Sequence, residues 1–476
     1  MFAAGVGSSP EPFVVDSPYW YRRLRELIPR RDELVELLRL AFPVATVQVG
    51  MMLMGVVDTI MVGHVSPVDL AAVALGNLYF FSASVFGLGT LLALDPLVSQ
   101  AVGAADREGI ARSVQRGAVL AVLLAIGAAA VLAPAGPVLA LLGQPPDVVP
   151  IAAGYVHAAL LGVLPFYLYV VLRQTLQAIG RVGLVVVTMV AANLANVAFN
   201  WVMVFGNLGF PAMGAVGAGW ASTLSRVVMT GALFALAWPT LRPFARPLRT
   251  GTFRSAPLLR MLTLGAPIGG QLLLEFGAFA VIGVLMGWLG TTAMAGHQVA
   301  INLASLTFMV PLGVAQATTV LVGRSVGGGD PPGARRAAGA GLMVGALFMV
   351  GTAILFLTVP EVLARAYTAD RAVQAIAVVL IPVAGVFQVF DGLQVVGTAV
   401  LRGVGDTRVP MIVHVLGFWL VGFPVSLVIG FRLGGGPEGL WWGLVAGLAA
   451  VAVLLLARIR YRFARDLPRL IVHEDD

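Results

Sequence analysis

Three acidic residues stand inside long apolar runs, where an ionisable side chain must be either used or neutralised. Asp58 lies in GVVDTIMVGH, Glu275 in GQLLLEFGAF and Asp391 in GVFQVFDGLQ. An ionisable group at the centre of a membrane helix costs about 2.5–3.5 kcal/mol on insertion scales, so it needs a polar partner or a cavity. Buried carboxylates facing a cavity can hold a monovalent cation with amide and carbonyl oxygens, or take up a proton when desolvated. They also attract organic cations by charge. Protonation, or a hydrogen bond made only for packing, would account for any one of them. Three together point to a pathway for ions or substrate.

Amides repeat near these acids at helical spacing. Gln388 and Gln394 lie three residues either side of Asp391, and Gln271 lies four before Glu275. Asn193, Asn196 and Asn200 form an i, i+3, i+7 stripe, and Gln298 and Asn302 are four apart beside His297. Interhelical amide bonds, worth about 0.6 kcal/mol each, could explain such stripes as well as a site does. His297 reads more readily as a packed, hydrogen-bonded ring than as a proton relay. Arg226, also inside an apolar run, reads as paired with a polar neighbour or snorkelling rather than touching substrate. Phe276, Phe308, Met309, Phe387, Phe390 and Met54 could supply an adaptable apolar wall. The Asp391 run ends in Arg402-Gly-Val-Gly-Asp-Thr-Arg408, an arginine-marked exit.

The elements that must position these residues are membrane helices. The chain of 476 residues is 59% hydrophobic and 11% charged, with mean hydropathy +0.93, against about 25% charged residues in an ordinary soluble protein. Twelve spans are expected near 38–64, 70–97, 115–142, 148–172, 178–205, 214–238, 258–288, 293–322, 337–360, 372–400, 409–431 and 438–459, each long enough for the roughly 20 residues that cross the hydrocarbon core. Residues 19–40 suggest an amphipathic lead-in along the membrane surface. All 30 basic residues are arginine. With both termini cytoplasmic, only Arg365, Arg371 and Arg432 fall outside and Arg226 within a span, as the positive-inside rule requires. The basic pI is thereby explained without a nucleic-acid partner.

The two halves repeat each other. A shift of 224 residues places Gly63 on Gly287, Ala71 on Ala295 and Gly89 on Gly313. It also places Gly103, Asp106, Gly109, Arg112 and Gly117 on Gly327, Asp330, Gly333, Arg336 and Gly341; at 225, Leu176 and Gly180 match Leu401 and Gly405. Six spans per copy give both copies the same orientation, a parallel repeat about an axis along the membrane normal. The expected organisation is a cytoplasmic segment 1–36, an N-lobe 37–238, an inter-lobe loop 239–257, a C-lobe 258–460 and a cytoplasmic tail 461–476. The fold class is an all-α membrane protein of two six-helix lobes. The repeat does not pair the acids: Asp58 falls on Ile282 and Glu275 on Met51, which hints that each half is specialised.

No enzymatic constellation is present: no HExxH, nucleophile elbow or Walker loop, and no cysteine for a disulfide or thiolate site. Without a nucleotide-binding domain, transport must draw on an ion gradient, and no cofactor is expected.

Several stretches together resemble the multidrug and toxic-compound extrusion (MATE) family: Val57-Asp58-Thr59-Ile60-Met61-Val62-Gly63-His64, Ala295-Gly296-His297-Gln298-Val299-Ala300 and Leu401-Arg402-Gly403-Val404-Gly405-Asp406-Thr407. Asn196 and Asn200, ahead of GAVGAGWAS, fit that family's fifth span. The likeness covers about residues 35–460, and Glu275 with Asp391 matches its NorM-like branch. The resemblance implies cation coupling through Asp58, Glu275 and Asp391, a first-lobe polar site of Asn196 and Asn200 with Asn193 beside them, and a Na+ or proton site at Glu275 and Asp391. Gln271, His297, Gln298, Asn302, Gln388 and Gln394 are candidate cavity lining. The implied activity is antiport of lipophilic, often cationic compounds against Na+ or H+ across a bacterial inner membrane, by a monomer in contact with lipid. A flippase for a lipid-linked or polysaccharide precursor is the alternative, although an anionic headgroup would call for more basic residues within the spans than Arg226. Asp95-Pro96 departs from the family pattern, and Gln48 has no assigned role.

Overall fold

A computed structural model describes residues 28–249 and 251–470. Among the described residues there is no strand. The helices are α1 Arg31–Gly63, α2 Pro67–Gly103, α3 Arg107–Leu132, α4 Ala135–Leu141, α5 Val148–Leu160, α6 Val163–Ala178, α7 Val182–Met203 and α8 Gly214–Ala245 in the first half. The second half has α9 Ser255–Trp288, α10 Thr291–Gly327, α11 Pro331–Thr358, α12 Pro360–Tyr367, α13 Arg371–Gly403, α14 Arg408–Arg432 and α15 Gly436–Phe463. Eleven of these are long and apolar enough to cross a membrane, and α5 with α6, bent by 45° at their junction, makes the twelfth.

The duplication is visible in local chemistry. Asp106 caps α3 by accepting from the Gly109 N–H at 2.8 Å, and Asp330 caps α11 by accepting from the Gly333 N–H at 2.9 Å, satisfying the orphan donors of a helix start in the same way. Gly180 and Gly405 both take left-handed φ, +80° and +78°, just past α6 and α13, a conformation that glycine adopts without strain.

The lobes meet through symmetry-related contacts. α1 packs on α10 and α2 on α9, and the later part of α2 crosses α10. A Cβ on Gly103 would lie 2.0 Å from the Arg324 carbonyl oxygen, and one on Gly327 would lie 1.9 Å from that of Gln100. Gln100 and Arg324 are themselves 224 apart, so the axis passes between these two glycines. Gly89 against Gly269 and Gly313 against Ala45 repeat the pattern, with added Cβ atoms 2.6 and 2.7 Å from the facing Cα. Small residues let the backbones approach this closely.

The same end of the molecule carries polar clasps between lobes. Gln100 Nε2 donates to the Gly403 carbonyl at 2.9 Å, Arg324 Nη2 to the Ala178 carbonyl at 2.7 Å, and Arg336 Nε to Glu33 at 2.5 Å. The tail docks there too: Arg469 reaches Asp106 at 2.5 Å, and the Leu470 N–H donates to Gln100 Oε1 at 2.7 Å.

Several boundaries differ from the sequence expectation. The first span begins at Arg31 and is continuous with the stretch expected to lie along the membrane surface, because Glu33 both accepts from the Arg30 N–H at 2.8 Å and clasps Arg336. Residues 19–27 of that stretch lie outside the described residues. The third span stops at Leu132, before Pro134 (which lacks the N–H a continuing helix needs), and α4 starts anew. α8 runs to Ala245 through Pro239 and Pro243, so the inter-lobe connection is shorter than its composition implies.

Candidate functional site

Asp58, buried on α1, is gathered by two other helices of its lobe. Its Oδ1 accepts from Asn196 Nδ2 at 3.0 Å and Asn200 Nδ2 at 2.6 Å on α7, and its Oδ2 from Ser222 Oγ at 2.5 Å on α8. Hydrogen bonds to a charged group contribute roughly 1.5–3 kcal/mol each. The asparagine stripe therefore divides. Asn196 and Asn200 serve the acid, whereas Asn193 donates to the Gly50 carbonyl at 3.1 Å and the Met189 carbonyl at 2.9 Å, joining α7 to α1. The Oδ1 atoms of Asn196 and Asn200 are buried without partners.

Asp58 opens into a cavity of about 440 Å³ lined by Met51, Met54, Phe80, Phe81, Phe166, Met229 and Met309 among others. Phe80 and Phe166 hold the Arg226 guanidinium, whose carbon lies 4.4 and 5.6 Å from their ring centroids. Arg226 thus sits in the cavity wall, stacked on aromatic faces rather than salt-bridged.

In the C-lobe, Glu275 on α9 and Asp391 on α13 share one donor. Gln394 Nε2 lies 3.0 Å from Glu275 Oε1 and 3.0 Å from Asp391 Oδ1. His414 on α14 completes the cluster. Its Nδ1 is 2.8 Å from the Pro410 carbonyl, and its Nε2 is 2.9 Å from Gln394 Oε1, 3.2 Å from Gln271 Nε2 and 3.9 Å from Glu275 Oε2. Nδ1 carries a proton to serve that carbonyl. Nε2 then accepts from Gln271 when the ring is neutral and donates to Gln394 when it is charged. Either form has a partner.

The remaining candidates lie elsewhere. Gln388 donates to Thr307 Oγ1, binding α13 to α10. His297 accepts from Trp441 Nε1 at 3.2 Å with the rings edge-on, a packing contact. Gln298 and Asn302 bond to each other at 3.2 Å on an exposed helix face.

A third polar cluster joins residues that the sequence left unassigned. Asp95 on α2 is fully buried with both carboxylate oxygens unpaired. Arg402 on α13 and Arg173 on α6 are its charged neighbours, and Arg402 also faces Glu275. Arg173 Nη1 donates to Gln48 Oε1 at 2.9 Å, and Gln48 lines the N-lobe cavity.

Sequence reasoning missed Ser222, His414 and Arg173. Ser222 lies four residues before Arg226 and so shares its face, and His414 interrupts an otherwise apolar run; these were the available signals. Their partners depend on helix crossing geometry, which spacing within one helix does not encode.

Comparison with known proteins agrees with this architecture. The chain is 38% identical over 440 residues to the "Probable multidrug resistance protein NorM" of Mesorhizobium japonicum, covering 90% of this chain and 94% of that protein. It is 38% identical over 453 residues to the "Multidrug resistance protein PmpM" of Pseudomonas aeruginosa, covering 92% and 94%. The fold matches the crystal structure of the eukaryotic MATE transporter AtDTX14 with TM-score 0.82 at 21% identity, over 92% of this chain and 96% of that one. It also matches an outward-facing multidrug resistance MATE family transporter of the MOP superfamily with TM-score 0.83 at 20% identity, over 93% and 98%. The MatE family model matches twice, over residues 43–202 and 267–428, two segments whose starts are offset by the repeat length. The chain belongs to the MatE family and is a NorM-like member of it.

Proposed function

We propose that this protein is a secondary active exporter of lipophilic, often cationic compounds, driven by inward flow of Na+ or H+ through alternating access of its two lobes. The observation that carries this reading is one buried acidic site in each lobe, of which the first opens into a cavity walled by methionines and phenylalanines. An apolar, plastic wall binds by area and adapts to shape, while a carboxylate selects for positive charge. The similarity to proteins named for multidrug resistance supports the same reading.

In the C-lobe, Glu275 and Asp391 would hold the coupling ion. Two carboxylates sharing a single amide donor leave room for one positive charge between them, and their hard oxygens suit Na+ as well as a proton. An ion reaching this site from outside favours one arrangement of the lobes only by binding that arrangement more tightly. Each charge moving inward adds about 2.3 kcal/mol per 100 mV. The arginine-bearing end, with its interlobe clasps, is read as cytoplasmic, both termini included, in a bacterial inner membrane. Lobes spanning 37–238 and 258–460 would then rock about the Gly103–Gly327 crossing. The test is efflux of a fluorescent organic cation from proteoliposomes under an imposed Na+ gradient or pH gradient, each alone. Loss of gradient-driven efflux in Glu275→Gln and Asp391→Asn is expected, and normal coupled efflux in both would reject the site.

A further inference from the structure

Asp58 and Arg226 are the only charged side chains among the described residues that line the N-lobe cavity, yet they do not form a salt bridge. Asp58 spends both oxygens on the neutral donors Asn196, Asn200 and Ser222. The Arg226 guanidinium carbon lies over the Phe80 and Phe166 rings, and its Nη1 is buried with no hydrogen-bond partner. The fold makes room for it there: α5 and α6 break at Gly162, where a Cβ would stand 3.1 Å from Arg226 Cδ. A structural arginine in an apolar bundle would be expected to close on the nearest carboxylate. This one is held apart from it, with one buried donor unused, in the wall of the space that a substrate would fill.

We propose that Arg226 sets the charge of the substrate cavity and is a specificity-determining residue for the exporter reading above, on which this inference rests. With Asp58 a bare carboxylate, the pair sums to zero and the cavity admits a lipophilic monocation against the aromatic and methionine wall. When a monovalent ion arrives at Asp58, whether proton or metal, the cavity carries the uncompensated charge of Arg226 and the monocation is expelled. Ion loading alone removes one attraction. Arg226 places both states low enough in affinity for release to follow. It has the opposite effect on an acidic group: a substrate carrying a carboxylate as well as a cation meets the positive charge of Arg226 in either state, and is held where a plain monocation is released. Tyr155 on α5 is the other ionisable group beside the pair.

The experiment uses the full-length protein in detergent with two fluorescent probes of one scaffold, an ester-capped rhodamine monocation and its free-acid zwitterion. Binding is measured at low and high coupling-ion concentration for wild type, Arg226→Gln and Arg226→Lys. One unit charge roughly 12 Å away at an effective dielectric of about 20 changes affinity by about tenfold. Arg226→Gln is expected to tighten the monocation about tenfold in both ion states and to weaken the zwitterion. In proteoliposomes it lowers both KM and kcat for the monocation, because release becomes slow. Arg226→Lys, which keeps the charge, stays near wild type. A merely structural arginine would give losses in the same direction for both probes, and that result, or no change in either, overturns the proposal. Wild-type protein that binds neither probe overturns the exporter reading and this inference with it. Wild-type transport with same-direction shifts overturns this inference alone.

Discussion

Replacing Asp58 by asparagine tests the N-lobe site with the smallest change of shape. A substrate monocation seated in the cavity at roughly 7 Å from the carboxylate gains about 2.4 kcal/mol at an effective dielectric of about 20. Its loss corresponds to about fiftyfold in affinity. The substitution also turns an acceptor-only group into one that offers an N–H to the donors of Asn196 and Asn200. The N-lobe therefore loses charge-assisted hydrogen bonding worth roughly 1.5–3 kcal/mol for each bond that is not remade. The assay is equilibrium binding of the rhodamine monocation at two coupling-ion concentrations, with a thermal melt on the same sample. Asp58→Asn should bind about fiftyfold more weakly at low ion, with affinity no longer reduced by the ion, and should melt a few degrees lower. Unchanged affinity that still falls on adding ion would refute the placement of substrate and ion at this carboxylate.

Other consequences follow from the contacts. Gln394→Leu removes the one donor shared by Glu275 and Asp391, so ion-driven efflux should fall at least tenfold while binding of the monocation in the N-lobe persists; equal loss of both would place Gln394 in general folding. Gly327→Ala sets a methyl group against the Gln100 carbonyl. Since the native chain has no cysteine, a single Leu97→Cys reporter should label faster from the arginine-bearing side in that background, and unchanged labelling would dismiss the crossing as a closure. Asp106, in the turn before α3, feels burial as an upward push, but the Gly109 N–H and the Arg469 guanidinium outweigh it and hold its carboxyl below the usual 3.8. A depressed folded value contributes stability above the unfolded value that is lost as pH falls through the folded one. Asp106→Ala should therefore cost about 0.5–2 kcal/mol at neutral pH, with the gap in melting temperature closing as pH falls below the usual carboxylate range; a gap that persists in acid would assign it to packing.

Much of this was legible in the chain. The 224-residue repeat gave the two lobes, and structure adds why those particular positions repeat: Asp106 and Asp330 cap helices, while Gly103 and Gly327 let backbones cross. The three acids, Asn196, Asn200, Gln271 and Gln394 were visible because polar atoms in apolar helices are costly and few. Partners were less legible. Nothing in the spacing of Asn193, Asn196 and Asn200 distinguishes the one that faces Gly50 from the two that face Asp58, because the height at which each meets α1 decides it. Asp95 and Gln48 looked isolated along the chain, since Arg173 and Arg402, which lie near them, come from helices far away in sequence. Span ends drifted where small residues and arginines extend a helix past its apolar stretch, as at Arg31 and Ala245.

The central claim is that an ion gradient acting through the two acidic sites drives export. The most direct measurement is counterflow in proteoliposomes containing wild type, Asp58→Asn or Glu275→Gln, loaded with the rhodamine monocation and exposed to a Na+ gradient or a pH gradient alone. Wild type should move the dye against its own gradient under one of these, and neither variant should do so under either. Uphill transport that survives in both variants, or dye movement by wild type that ignores both gradients, would contradict the account.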